Sequence, residues 1–106
     1  MGQSRRRFDE TELGQALPSV DVPAPALGAP ASSLIERFVA AWAGQDATLA
    51  GVRITRQIPA RDSHVLQLDG RVYGRHMDGS RCIEVEVTGR DSLGARLGGM
   101  VRVQLA

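Results

Sequence analysis

From Gly51 onward, apolar and polar side chains alternate in short runs. Ile83, Val85 and Val87 interleave with Cys82, Glu84, Glu86 and Thr88, the period of two expected of a strand with one buried face. Val101, Val103 and Leu105 alternate with Arg102 and Gln104 in the same way. Val52, Ile54 and Ile58 form a shorter series that Pro59 ends, and the run from His64 to Gly74 sets Leu66 and Leu68 on one face. Gly70 predicts a bulge in that run, because Val72 keeps the spacing while the apolar density falls. Met77–Ser80 and Asp91–Gly94 carry hairpin-turn residues. The pattern predicts an antiparallel meander of about four strands.

One segment has a different period. Leu34, Phe38 and Trp42 fall at i, i+4 and i+8, flanked by Ile35 and Val39, and these five span a helical stripe of about 140°. Ser33 with Glu36 three positions on fits a capping box, and Gly44 is a natural stop. The helix holds two of the chain's four aromatic residues, one Phe and the only Trp, so the core is expected to form around it. Residues 1–31 differ again. They hold four of the five prolines, Pro18, Pro23, Pro25 and Pro30, with Ala and Gly between them. Proline removes a ladder donor, so this stretch is expected as an extended arm, with Ser19 to Val22 pairing briefly as an edge strand. The predicted class is α+β, with residues 32–106 forming one helix covered by one curved sheet.

Composition excludes more than it identifies. A chain of 106 residues predicts one domain, and 42% hydrophobic with 24% charged residues is ordinary for a soluble protein. No apolar run is long enough to span a membrane. Basic Arg5-Arg6-Arg7 is followed by polar residues rather than the apolar run of a signal peptide, so a cytoplasmic protein is expected. The single cysteine, Cys82, excludes an internal disulfide and a multi-cysteine zinc site. A net charge of +1 is too weak for a general nucleic-acid or membrane binder. All 13 basic residues are arginine, which reads as codon bias in a GC-rich genome.

The order of short motifs carries more. The helix ends Arg37-Phe38-Val39-Ala40-Ala41-Trp42-Ala43-Gly44, and Val52-Arg53-Ile54-Thr55 follows. Asp62, Gly70-Arg71-Val72, Asp78-Gly79, Glu84-Val85-Glu86-Val87 and Asp91-Ser92-Leu93-Gly94 come next. Upstream stand Phe8-Asp9-Glu10, Gly14 to Pro18, and Val20-Asp21-Val22. In this order they resemble the MaoC-like hotdog family of (R)-specific enoyl-CoA hydratases and 3-hydroxyacyl thioester dehydratases, and within it the small subunits of steroid side-chain hydratases. The resemblance implies a shortened hotdog fold, a central helix wrapped by about five antiparallel strands. It also implies a place in acyl-thioester metabolism and pairing as a homodimer or as a heterodimer with another hotdog subunit.

The sequence departs from the family at one place. Active members carry an Asp-x-Asn-Pro-x-His loop before the helix, because an aspartate and a histidine must grip one water between them. Here Pro25 to Ser32 runs into the helix without Asp, Asn or His. The expectation is a non-catalytic or degenerate subunit that completes the sheet and acyl tunnel of a longer partner, with acyl-CoA as the ligand class. The alternatives are a hydratase using His64 or partner-supplied residues, and a plain interaction module.

No catalytic residue, metal or cofactor is assigned. Asp62-Ser63-His64 holds three triad residue types, but neighbours along a strand alternate faces. His76 belongs to a turn, and Cys82 has no cation directed at it. Glu84 and Glu86 stand about 7 Å apart on one strand face. They read as a solvated face with Arg102 as cross-strand partner rather than a glycosidase pair. Arg5 to Arg7 reads as a basic leader, and Leu93 to Gly99 is glycine-rich without the ending of a phosphate loop. Gly98-Gly99 is expected to allow a bend or bulge in the last strand. Phe38 and Trp42 are core candidates. The resemblance also makes them candidates for the wall of an acyl tunnel.

Overall fold

The side chains that alternation placed inward lie at the centre of the molecule: Ile83, Val85, Val87, Val101 and Val103 are fully buried. The computed structural model describes residues 8–22, 30–57, 65–92 and 94–105. Readings that concern Arg5 to Arg7, Pro25 to Ala29, Ile58, Pro59, Asp62 to His64 and Leu93 lie outside these. Strand β1 covers Ala16–Val22, helix α1 Ala31–Ala43, and strands β2 Thr48–Gln57, β3 Leu66–Arg75, β4 Cys82–Asp91 and β5 Gly94–Gln104. They form one antiparallel sheet in the order β1-β3-β4-β5-β2.

Only part of this sheet is the expected meander. β3, β4 and β5 follow one another, but β2 pairs with β5 rather than β3. Both sides of β3 are already taken, by β1 and β4. The helix packs against β1, β5 and β2, and so carries the chain from one edge of the sheet to the other. Its buried stripe, Leu34, Ile35, Phe38, Val39, Trp42 and Ala43, matches the period read from sequence.

The sheet curves around this helix. Among the described residues its ladders carry five irregularities: one in β1 near Pro18, two in β2 at Ala50 and Thr55, and one each at Tyr73 and Arg96. An extra residue on one side of a ladder bends the strand and increases its twist. The bulge expected at Gly70 is not among them. Gly70 pairs regularly with Leu17 and with Val87. It is glycine for another reason: a Cβ there would lie 2.8 Å from Phe38 Cε2. Gly99 is similar, since its Cβ would meet Ile35 Cδ1 at 2.7 Å and the Arg53 carbonyl at 3.0 Å. The bulge beside Gly98-Gly99 belongs to the facing strand, β2. Two glycines thus form saddles in which the helix sits.

The helix starts two residues before the expected capping box. Pro30 holds the N-cap position at φ −58° and its carbonyl accepts from the amides of Ser33 and Leu34. Proline fits there because it lacks the amide a helix start leaves unpaired. Ser33 therefore lies inside the first turn and caps nothing. Gly44 ends the helix as expected, at φ 95°, donating to the Ala40 carbonyl.

The described part of the N-terminal arm is docked rather than free. Phe8 is buried, in a single 3-10 turn, and Arg75 stacks its guanidinium 4.3 Å over that ring while donating to the Phe8 carbonyl. Gly14 and Gln15 exchange backbone bonds with Val72, and β1 is seven residues long, with Leu17 and Val22 in the core. It lies at a sheet edge, where Pro18 costs no ladder bond to a second neighbour.

Candidate functional site

The layer between helix and sheet holds the two aromatic residues singled out from the sequence. Phe38 and Trp42 project into it from successive turns of α1 and are 7% and 6% exposed. The Phe38 ring lies against Gly70 and Leu17 sits beside the same glycine. Both aromatic side chains belong to the continuous core, with Val72, Val85 and Val101. Three surface hollows of about 280 to 340 Å³ are lined by outer-face residues together with Val52, Val87, Leu97 and Val101, and neither Phe38 nor Trp42 is among their lining residues.

The opposite face of the sheet is charged and ordered. On β4, Glu84 and Glu86 alternate with the fully buried Ile83, Val85 and Val87, so their carboxylates point away from the helix. Arg102 stands opposite Glu84 in register and donates to it at 3.4 Å, the cross-strand partner read from sequence. Glu86 has a partner on its other side, Arg71 at 3.2 Å. Asp69 faces Arg90 at 3.6 Å and accepts from the Ser19 hydroxyl. This is a solvated ladder of ion pairs, which is what sequence alone proposed for the two glutamates.

His76 was legible only as a turn residue. Its Nε2 lies 2.9 Å from Glu84 Oε2, so Glu84 stands between an imidazole and a guanidinium. The backbone bond from His76 N to the Cys82 carbonyl closes the β3–β4 hairpin and brings the ring to that carboxylate. Imidazole beside carboxylate is the pairing that activates a water. Here it stands on the outer face, on the other side of the sheet from α1. Cys82 shares that face, its thiol directed to the Ser80 carbonyl at 3.8 Å.

A second pair was missed altogether. Asp91 is 1% exposed in its side chain and accepts from Arg96 Nε at 3.0 Å across the β4–β5 hairpin. Arg96 is the extra residue of the β5 bulge, which re-aims its side chain. The sequence signal was present as Asp-x-x-Gly-x-Arg, but alternation cannot forecast a bulge. Among the described residues no three His, Cys, Asp or Glu side chains converge as metal ligands would. No described helix is long and apolar enough to cross a membrane.

No protein-family model and no curated protein matches the sequence. Solved structures do match. The ChsH1–ChsH2 complex from Mycobacterium tuberculosis contains a chain similar at TM-score 0.78 and 20% identity, over 91% of this chain and 99% of that one. The unliganded R-hydratase PhaJ1 from Pseudomonas aeruginosa is similar at TM-score 0.77 and 12% identity, over 93% of this chain and 84% of that one. The (R)-hydratase from A. caviae involved in PHA biosynthesis is similar at TM-score 0.65 and 14% identity, over 92% and 98% respectively. The fold is the hotdog fold of these proteins: one helix wrapped by a curved five-stranded sheet.

Proposed function

We propose that this chain is a non-catalytic subunit of a MaoC-like enoyl-CoA hydratase or dehydratase, completing the sheet and acyl tunnel of a longer hotdog partner. The observation that carries this reading is the condition of the helix–sheet layer. It is filled by Phe38, Trp42 and aliphatic side chains, while the described imidazole–carboxylate pair, His76 with Glu84, stands on the opposite face. The proline-rich sequence entering α1 supplies no Asp, Asn or His. Hydration needs a gripped water beside the acyl group, so another chain supplies it.

The open β2 edge also favours a partner. Its inward side chains Leu49, Val52 and Ile54 pack against the core yet stay only half-buried. The solved neighbours add a complex of two chains and two hydratases. In the reading, Phe38 and Trp42 border the partner's acyl tunnel from this side.

The test is hydration of crotonyl-CoA by this chain alone, and by this chain co-expressed with a full-length hotdog hydratase subunit. Activity is expected only from the pair. Hydration by the lone chain that is lost in His64→Ala overturns the reading in favour of a self-sufficient enzyme. A stable pair that neither binds nor hydrates acyl-CoA leaves a plain interaction module.

A further inference from the structure

The two edges of the sheet are not equivalent. β1 is seven residues long, contains Pro18 and carries an irregularity beside it. β2 runs ten residues without proline, and its far side has no strand among the described residues. Long open edges of this kind pair with other strands unless something forbids it.

The charges on the outer face show what the β2 edge accepts. Further in, each arginine of the ladder has a carboxylate: Arg71 with Glu86, Arg90 with Asp69, Arg102 with Glu84. At β2 this matching stops. Thr48–Gln57 holds Arg53 and Arg56 and no acidic residue. Both arginines are exposed, and neither forms an ion pair with a described residue. Strict alternation from Arg53 would turn Arg56 inward. The extra residue Thr55 prevents this, so that Thr55 and Arg56 both stand against Gly98. A bulge has therefore gathered two uncompensated guanidinium groups on one face of an open edge.

We propose that the β2 edge selects a strand that presents carboxylates opposite Arg53 and Arg56, and rejects a second copy of this chain. This rests on the reading that the chain works with a hotdog partner, and decides which kind. In a two-fold pairing of β2 with itself, residues on the same face meet. An axis between Val52 and Ile54 sets Arg53 opposite its own copy, or one diagonal step away at about 7–8 Å. Like charges so placed repel, and no carboxylate of β2 can separate them. An acidic edge strand supplies the carboxylates that β2 itself lacks.

The test needs only this chain and an acidic copy of it. The full-length protein and an Arg53→Glu/Arg56→Glu variant are studied separately and mixed one to one, by light scattering and sedimentation. Each alone is expected to be monomeric, and the mixture to form a mixed dimer that weakens about tenfold or more from low to high salt. Should the double variant not fold, Arg56→Glu alone carries the same comparison. Dimerisation of the unaltered chain by itself, or a mixture no tighter than its components, overturns the proposal. Neither result bears on crotonyl-CoA hydration, so the subunit reading stands or falls separately.

Discussion

Gly70 and Gly99 set how deep the helix sits. A methyl group at either position enters space held by Phe38 or Ile35, and at Gly99 the Arg53 backbone is also in the way. Gly70→Ala and Gly99→Ala are each expected to cost about 1–3 kcal/mol, the usual range for overpacking. Urea unfolding midpoints measure this, and an unchanged midpoint contradicts the saddle. Neither role was legible in the sequence. Alternation marks a glycine on the buried face only as an interruption, and a bulge was the available explanation for Gly70. The identity of the residue overhead comes from another element, and one-dimensional spacing does not contain it. Asp78 is a residue whose role was legible, as part of a turn. Its carboxylate is held below the ordinary aspartate pKa of 3.8, first by the Ser80 side chain and then by the Ser80 amide. A depressed folded-state value stabilises the turn above the unfolded pKa and loses that stabilisation as pH falls through the folded one. The Ser80 amide resonance is therefore expected to titrate with a midpoint below 3.8, and Asp78→Asn to abolish that titration.

Strands and helix were legible as elements because burial imposes their periods directly. The buried rows of β3, β4 and β5 and the stripe of α1 fall where the hydrophobic pattern put them. Three element-level features were hidden. Ser33 had the chemistry of a cap, but Pro30 precedes it and takes the position. β1 starts at Ala16, and ahead of it the Phe8 turn is clamped by Arg75, a contact spanning 67 positions. The β4–β5 hairpin is pinned by Arg96 and Asp91 through a bulge. This last pair gives a sharp comparison. Arg96→Ala takes the guanidinium from a carboxylate that is 1% exposed, and a loss of about 3 kcal/mol is expected. Arg71→Ala removes an exposed partner of Glu86, and the expected loss is about 1 kcal/mol at most. Equal losses in thermal unfolding contradict the assignment of Arg96 as the hairpin's internal pin.

For the molecule as a whole, the outer face was legible and the inner one only in part. Glu84 and Arg102 could be matched from sequence because adjacent strands share a hairpin and its register. The His76–Glu84 contact was not, since it depends on how that hairpin turn folds back. Phe38 and Trp42 were recognised as buried. In the proposed assembly they border an acyl tunnel, and acyl-CoA at a hundredfold excess over Kd is expected to stabilise the pair by about 2.7 kcal/mol. The sheet order β1-β3-β4-β5-β2 has a consequence for how the chain is made. The β2–β5 ladder joins positions from Gln57 with Leu97 to Thr48 with Gln104, and β1 similarly waits for β3. Synthesis proceeds in the opposite sense to pairing: β1, α1 and β2 leave the ribosome before the strands that receive them exist. The ten residues of β2 thus spend translation as an unclaimed edge on both sides. In the pairing proposed above Arg53 and Arg56 repel a second copy, and the same repulsion is expected between neighbouring nascent chains during that interval.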